Sequence, residues 1–195
     1  VKENENIKGL QERDAKYVIN TIEEKQNTEE REIKEGMDVV QGKIVIGLDV
    51  HLEDKKQKYD TIVYNAILGG TANSKMFQEV REKASLAYTA GSGYVSNKSN
   101  IFIKCGIEIK NYEKAMQIIR KQLEDMKAGM FSDEDIQNAK KGIISGIKGI
   151  DDEQDTEITY FFGQELTDNK TTLEQYIKNI ENVTKDDIIK IANSV

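Results

Sequence analysis

The sequence of 195 residues has no proline, no tryptophan, one histidine, one cysteine and no long apolar run. The single cysteine, Cys105, excludes an internal disulfide and a multi-cysteine metal site, and it suits a reducing cytoplasm. A membrane-spanning helix needs about 20 apolar residues, and a signal peptide needs a basic and then apolar leader. Neither pattern is present, so we expect no membrane association and a cytoplasmic location.

Basic residues are outnumbered, with 28 lysines and arginines against 35 aspartates and glutamates, for a net charge of −7. Such a surface does not attract phosphate backbones, and no stripe of basic residues interleaved with aromatics is present. Nucleic acid is therefore excluded as an expected partner. The hydrophobic fraction of 37% and the length fit one globular domain.

Hydrophobic periodicity predicts a mixed α+β fold. Alternating apolar residues predict strands at 44–50, 87–95 and 100–109, and a weaker extended stretch at 30–34 adds a possible fourth. Cys105 shares the apolar face of the third strand, which indicates a buried small hydrophobe rather than a nucleophile. Apolar spacings of three and four predict helices near 59–67 and 74–84 and from 111 to the end. We expect an antiparallel sheet with helices packed on one face.

Helix boundaries carry local signals. Ser132, Thr172 and Thr184 are each placed to cap a helix at its amino end. Gly69 and Gly70 end the helix before them, where we expect a backbone with positive φ. Glycines 142, 146 and 149 share one face of a later helix, and either the close approach of another backbone or a frayed helix end would explain them.

The polar clusters predict little chemistry. His51 follows a strand in a charged segment and is interpreted as a solvated loop residue. Acidic clusters at 133–135 and 186–187 open predicted helices, where negative charge complements the helix dipole. The glycine-containing stretch at 69–75 lacks the spacing of a phosphate-binding loop. Taken alone, Arg81 is a cation at a helix end and Tyr88 a half-buried strand residue.

A set of short motifs in fixed order is more informative. Leu-Gly-Gly stands at 68–70, followed by Ser74 and Phe77, Arg-Glu-Lys at 81–83 and Leu-Ala-Tyr at 86–88. Gln-Gly-Lys at 41–43 and Val-Thr-Lys-Asp-Asp-Ile at 183–188 extend the agreement to residues 29–195. This pattern resembles the second, zinc-free half of pitrilysin/insulinase-family zinc peptidases, the inverzincins, which include mitochondrial processing peptidase.

The resemblance implies a fold and two site residues. These peptidases pair two similar α+β halves around a closed chamber, and one half binds zinc through H-x-x-E-H and a distal glutamate. The other half contributes an arginine and a tyrosine that contact the bound peptide near the scissile bond. By position those substrate-binding roles fall on Arg81 and Tyr88, whose side chains can both donate to peptide carbonyls.

This sequence contains no H-x-x-E-H, so we expect no cofactor in this chain and no activity from it alone. Zinc is expected on a metal-bearing half, in the same polypeptide or on another subunit. The alternative is a non-catalytic structural or dimerisation domain of a degenerate relative. A third possibility is an unrelated α+β module for small molecules, for which no ligand motif is present.

The domain boundaries follow from composition. Residues 1–28 are polar and are interpreted as a helical segment or a linker, and residues 29–195 form the peptidase-family domain. Because the chain begins with Val1 and residues 1–28 contain no convincing strand pattern, we expect a piece of a longer protein whose sheet lacks a neighbour at one edge. An unpaired edge recruits other chains, so we expect a homo-oligomer with an interface above about 1,000 Å².

Overall fold

The computed structural model describes residues 29–54, 56–166 and 171–195. The chain divides into two compact units, Val1–Arg31 and Glu32–Val195. The predicted polar segment at 1–28 lies outside the described residues. All helices and strands reported below belong to the second unit.

Three antiparallel strands form the sheet: β1 (Gln41–Asp49), β2 (Ala87–Val95) and β3 (Asn100–Glu108). Their spatial order is β1-β3-β2, so β3 is central and pairs with both of the others. Gln41 of β1 lies opposite Glu108, and Asp49 lies opposite Asn100. The three main strand predictions are confirmed, as is the α+β class with an antiparallel sheet.

The predicted extended stretch at 30–34 does not form a strand. Ile33 is exposed, so the stretch has no apolar face to bury against the sheet. It is held instead by Tyr112, whose hydroxyl donates to Glu32 at 2.6 Å and whose ring lies under the Lys34 ammonium at 5.0 Å. These polar contacts replace a ladder of backbone hydrogen bonds, and the prediction is wrong for that reason.

Alternation along β3 separates the two faces of the sheet. Four of its side chains point into the core and are buried: Ile101, Ile103, Cys105 and Ile107. Phe102, Lys104 and Glu108 lie on the other face and keep contact with water. Burial raises the pKa of the Cys105 thiol to about 11, which agrees with its interpretation as a small hydrophobe.

Helices cover the buried face. The first, α1 (Gln57–Asn65), continues into a π-helical turn (Ala66–Gly70), and a π-helical segment (Phe77–Lys83) follows. After β3 the chain forms α2 (Tyr112–Lys127), α3 (Asp133–Lys148), α4 (Gln154–Leu166), α5 (Leu173–Asn182) and α6 (Lys185–Asn193). Among the described helices, none is long and apolar enough to cross a bilayer.

The predicted caps are confirmed. The hydroxyls of Ser132, Thr172 and Thr184 accept hydrogen bonds from the amides of Asp135, Gln175 and Asp187 at 3.1, 3.2 and 3.2 Å. Each partner's side chain in turn accepts from the cap residue's own amide, which completes a capping box at the start of α3, α5 and α6.

Gly69 and Gly70 do not have the expected positive φ. Within the described residues Gly129, after α2, is the one glycine with positive φ, at 70°. Gly69 is required for a different reason, which is the close approach of its backbone to β2. A Cβ at this position would lie 2.5 Å from the amide nitrogen of Ser92 and 2.5 Å from its hydroxyl oxygen. The Leu-Gly-Gly motif therefore allows the end of α1 to pack directly against β2.

The glycines of α3 do not mark a close approach of another backbone. A Cβ at Gly142 would meet only the Thr71 methyl group at 3.9 Å, and one at Gly146 would meet nothing within 4 Å. The helix continues through both positions and ends at Gly149, its C-cap residue. Of the two interpretations, close backbone approach is therefore the wrong one.

Candidate functional site

Arg81 lies in the π-helical segment that precedes β2. Its guanidinium carbon is 4.6 Å from the centre of the Phe77 ring, one turn earlier, in a cation–π contact. Its Nε atom lies 3.7 Å from a carboxylate oxygen of the neighbouring Glu82, and 45% of its side chain is exposed. The guanidinium is thus oriented by an aromatic ring while most of its donors stay available.

The turn from this helix into β2 is unusually wide and is strained at one residue. The amide of Ala84 donates to the Glu79 carbonyl at 3.2 Å, and the amide of Ser85 donates to the Arg81 carbonyl at 3.1 Å. Ser85 has φ 52°, in the left-handed region that non-glycine residues seldom occupy. Strain of this kind persists only where surrounding structure imposes it, and it clusters at functional sites.

Tyr88 occupies a β-bulge at the start of β2. Ala87 lies opposite Ile107 and Thr89 lies opposite Gly106, so Tyr88 is an extra residue without a partner on β3. Its side chain is 59% exposed. Because bulges re-aim side chains and are common beside active sites, this geometry favours a role for Tyr88 outside the core.

The last residue of β3 and the turn after it add charge beside Tyr88. The Lys110 ammonium lies 2.7 Å from a carboxylate oxygen of Glu108. The Glu108 hydrogen bond raises the pKa of Lys110, and the Tyr88 phenol adds a smaller contribution in the same direction. Sequence reasoning missed this pair as part of the site. The sequence did contain a signal for the pair. Glu108 lies on the solvent-facing side of β3, the strand with the clearest alternation, and Lys110 carries the opposite charge two residues later.

The wide turn joins the segment that carries Arg81 to the start of β2, where the bulge exposes Tyr88. The Leu86 amide donates to the Val80 carbonyl at 3.1 Å, which folds the chain back beside Arg81 two residues before Tyr88. A guanidinium has five donors and a phenol has one, so the pair can bind carbonyl oxygens of an extended peptide. Simultaneous contact of both tips with one peptide stays a prediction.

The other polar clusters lie as expected. His51 is exposed two residues after the end of β1, and the acidic clusters at 133–135 and 186–187 occupy the first turns of α3 and α6. Partial burial raises the pKa of Asp135, but hydrogen bonds from Lys75 and Ser132 outweigh it and lower the pKa overall. These carboxylates support helix starts and an ion pair with Lys75 at 2.8 Å.

The residues present do not fit a zinc site. In residues 29–54, 56–166 and 171–195, no three histidine, cysteine or acidic side chains cluster so as to hold a metal ion. The single histidine is exposed, and the single cysteine is buried in the sheet with its pKa raised to about 11 by desolvation. Zinc prefers a deprotonated thiol or imidazole, usually three protein ligands at a catalytic site.

We therefore expect the purified chain to bind no stoichiometric zinc. After dialysis against zinc and then buffer, elemental analysis should give well under one metal ion per chain. His51→Ala should give the same content as the parent. One tightly held zinc per chain, lost in the His51 variant, would contradict the expectation.

Comparison with known proteins identifies the family of this chain. The family described as the peptidase M16 inactive domain matches residues 2–143. The probable inactive metalloprotease YmfF of Bacillus subtilis strain 168 is 38% identical over 166 residues, which cover 85% of this chain and 39% of YmfF. The uncharacterised zinc protease YmxG of the same strain is 31% identical over 85 residues, which cover 43% of this chain and 21% of YmxG. The chain thus spans less than half the length of these relatives.

Solved structures share the fold. A conserved protein from Enterococcus faecalis V583 superposes with a TM-score of 0.73 at 26% identity, over 80% of this chain and 37% of that one. The peptidase M16 inactive domain from Pseudomonas fluorescens superposes with a TM-score of 0.68 at 16% identity, over 80% of this chain and 38% of that one. From the sequence match and the shared fold together, the chain belongs to the peptidase M16 family as its inactive domain.

Proposed function

We propose that this chain is the substrate-binding, metal-free half of a zinc metallopeptidase of the M16 family. Arg81 and Tyr88 would bind the peptide near the scissile bond and present it to a metal-bearing half, in the same polypeptide or on another subunit. The bulge at Tyr88 is the observation that carries the proposal. It adds an exposed phenol to the start of β2, where the turn from Arg81 arrives.

The chemistry of the two side chains suits this task. A guanidinium stays charged at any working pH and donates to carbonyl oxygens, and such donors are worth more when a carbonyl develops negative charge. The Phe77 ring limits the motion of Arg81, so less side-chain entropy is lost when a peptide binds. Neither role requires a metal ligand from this chain.

The relatives' length supports a second half. Since the matched residues cover 39% of YmfF, most of that protein lies outside the match and has room for another domain. YmxG is named as a zinc protease, which agrees with metal-dependent activity in the family. Cytoplasmic location and self-association through a sheet edge are proposals that go with this function. In the described part of the sheet, β1 and β2 each pair on one side only.

A non-catalytic structural or dimerisation domain is the second candidate. YmfF, the relative with 38% identity, is named as an inactive metalloprotease, and this favours a degenerate parent protein. The two candidates differ in peptide binding. A substrate-binding half loses affinity for peptide when Arg81 or Tyr88 is changed, whereas a structural domain does not.

The test uses the full-length protein that contains this chain and a set of fluorescence-quenched peptides. Arg81→Ala and Tyr88→Phe should each lower kcat/KM by about tenfold, since a hydrogen bond to a charged group contributes about 1.5 kcal/mol or more. Lys98→Ala is the control, because it removes an exposed cation from the turn at the opposite end of β2.

Equal kcat/KM for the parent, Arg81→Ala and Tyr88→Phe would overturn the binding role. If the full-length protein cleaves no peptide, equilibrium binding of the same peptides decides. Loss of binding in both variants supports the substrate-binding half, and unchanged binding leaves the structural candidate.

A further inference from the structure

Helix α4 differs from every other α-helix in the described part of the domain. Its described side chains, from Gln154 to Glu165, include none that is buried. Each of the other α-helices buries at least one side chain, and even the ten-residue α5 buries Ile180. Among the described elements, α4 packs most closely against the short turn Ile150–Asp152 directly before it. Helix α4 is thus attached to the domain without packing into its core.

One face of α4 is apolar and open to solvent. Ile158, Phe161 and Phe162 are 66%, 46% and 62% exposed. Their spacing of three and four residues places them on one side of the helix. Three large side chains exposed to this degree present about 300 Å², the size of patch that often marks an interaction site on a monomer. The Phe161 ring packs edge-on against Tyr160 at 5.3 Å, which orients the patch.

A helix of this length needs a tertiary partner. Isolated helices shorter than about 12–15 residues are marginal in water, and in proteins most helical stability comes from packing an apolar face. Helix α4 has 13 residues. Its end is tied to the segment before α5 by Gln164, whose side chain donates to the Thr171 carbonyl at 2.9 Å and accepts from its amide at 2.9 Å. This link holds the helix in place while its apolar face stays open.

The charge around the patch selects the kind of partner. Between Lys148 and Lys170 the sequence contains seven acidic residues and no lysine or arginine. Asp155 and Glu157 lie in the first turn of α4, and Glu165 lies near its end. A symmetric contact between two copies would bring these carboxylates together, and like charges at an interface oppose association. A surface with basic residues around an apolar groove is complementary to it.

We propose that α4 is a docking helix that inserts Ile158, Phe161 and Phe162 into an apolar groove rimmed by lysine or arginine on the metal-bearing half. The choice of that half as occupant rests on the proposed function. It is supported by the length of YmfF, of which the matched residues cover 39%, so the relative carries a large additional region. The docking surface lies on a different element from Arg81 and Tyr88.

The chemistry of the surface is tested on the 195-residue chain with two synthetic helical peptides of identical leucine spacing. One peptide has lysine at its polar positions, and the other has glutamate. Fluorescence anisotropy should show the leucine–lysine peptide binding at least tenfold more tightly than the leucine–glutamate peptide, with affinity falling as salt is raised. The double variant Phe161→Ser/Phe162→Ser should lose at least tenfold in affinity for the leucine–lysine peptide.

Two variants serve as controls. Val45→Ser removes an exposed apolar side chain from β1 and should leave peptide affinity unchanged. Lys98→Ala removes an exposed cation from the turn after β2 and should also leave it unchanged, which shows that the peptide does not bind through general surface charge. Equal binding of both peptides, or full binding by the double variant, would overturn the proposal. So would a dimer of this chain in light scattering that Phe161→Ser/Phe162→Ser abolishes, because the occupant would then be a second copy.

The occupant is tested in the full-length protein. After limited proteolysis between the halves, the parent's two halves should elute together in size-exclusion chromatography, and those of Phe161→Ser/Phe162→Ser should separate. Separation of the parent's halves would overturn the assignment of the partner. If Arg81→Ala and Tyr88→Phe leave kcat/KM and peptide binding unchanged while the parent's halves still elute together, the proposed substrate role is wrong. The proposed docking role of α4 is then retained.

Discussion

Replacing Gly69 with alanine is expected to destabilise the domain by about 3 kcal/mol or more. The new Cβ would lie 2.5 Å from the Ser92 amide nitrogen, a distance that real Cβ atoms do not reach. The end of α1 or strand β2 must then move, and forcing extra atoms into a packed interior typically costs about 1–3 kcal/mol and occasionally more. The carbonyl of Gly69 also lies 3.0 Å from where a Cβ of Gly91 would stand, so little space exists for relief.

Urea unfolding followed by circular dichroism measures this effect, and Gly146→Ala is the matched control. Gly146 lies inside α3 with nothing within 4 Å of a new Cβ. The same substitution should therefore stabilise the domain there by about 0.5–1 kcal/mol, the difference in helix propensity. Adding Ser92→Gly should not rescue Gly69→Ala, because the backbone nitrogen remains in the way. Rescue, or equal effects at both glycines, would show that the close approach is not rigid.

Replacing Asp60 with asparagine is expected to stabilise the domain by about 2–3 kcal/mol at pH 7.5. Asp60 lies in the first turn of α1 and is 5% exposed, and its Oδ1 atom has no hydrogen-bond partner among the described residues. Burial raises the pKa of this carboxyl from 3.8 to about 6, with further contributions from Asp187 and Asp54 that Lys56 and Lys190 oppose. Each unit of difference corresponds to about 1.4 kcal/mol.

The sign of the pH dependence follows from the raised pKa. Well below pH 3.8 both the folded and the unfolded chain hold the Asp60 proton, so the residue imposes no charge penalty. As the pH rises through 3.8 the unfolded chain releases its proton first, and the folded state loses relative stability until the pH exceeds about 6. The difference in the free energy of unfolding between Asp60→Asn and the parent should therefore grow between pH 4 and pH 6 and stay constant above pH 6.

Chemical unfolding at pH 4, 5, 6 and 7.5 measures this gap, with Asp38→Asn as the control for an exposed carboxylate. The control should follow the parent at every pH. A gap for Asp60→Asn that does not change with pH would mean that charge burial is not the cause. A gap of opposite sign would mean that the ionised Asp60 is stabilised by groups around it.

Features set by neighbouring residues were predictable from the sequence. The three capping boxes depend on a hydroxyl and a side chain three residues later, so Ser132, Thr172 and Thr184 were recognised without knowledge of the fold. The strand β3 was recognised because its alternation is local and complete. Arg81 and Tyr88 were found only through the order of short motifs that resemble a family, since neither residue stands out by its own spacing.

Features set by distant residues were not predictable. The role of Gly69 depends on Ser92, which lies on a strand that reaches it only after folding. The burial of Asp60 depends on helices that follow more than a hundred residues later, including the one that carries Asp187. The bulge at Tyr88 is a property of the register with β3, and a strand's own alternation does not reveal which residue its partner will skip.

The strand order β1-β3-β2 has a consequence for how the protein is made. Among the described residues, β1 pairs only with β3. Its last residue, Asp49, lies opposite Asn100, so this pairing forms only after Asn100 has been synthesised. A ribosome that adds about 5–20 residues per second needs on the order of 3–10 seconds to synthesise the intervening chain. During that interval none of the described strands is available to pair with β1, while the β2–β3 hairpin can close as soon as it emerges. Of the three described strands, β1 is therefore the last to be placed in the sheet.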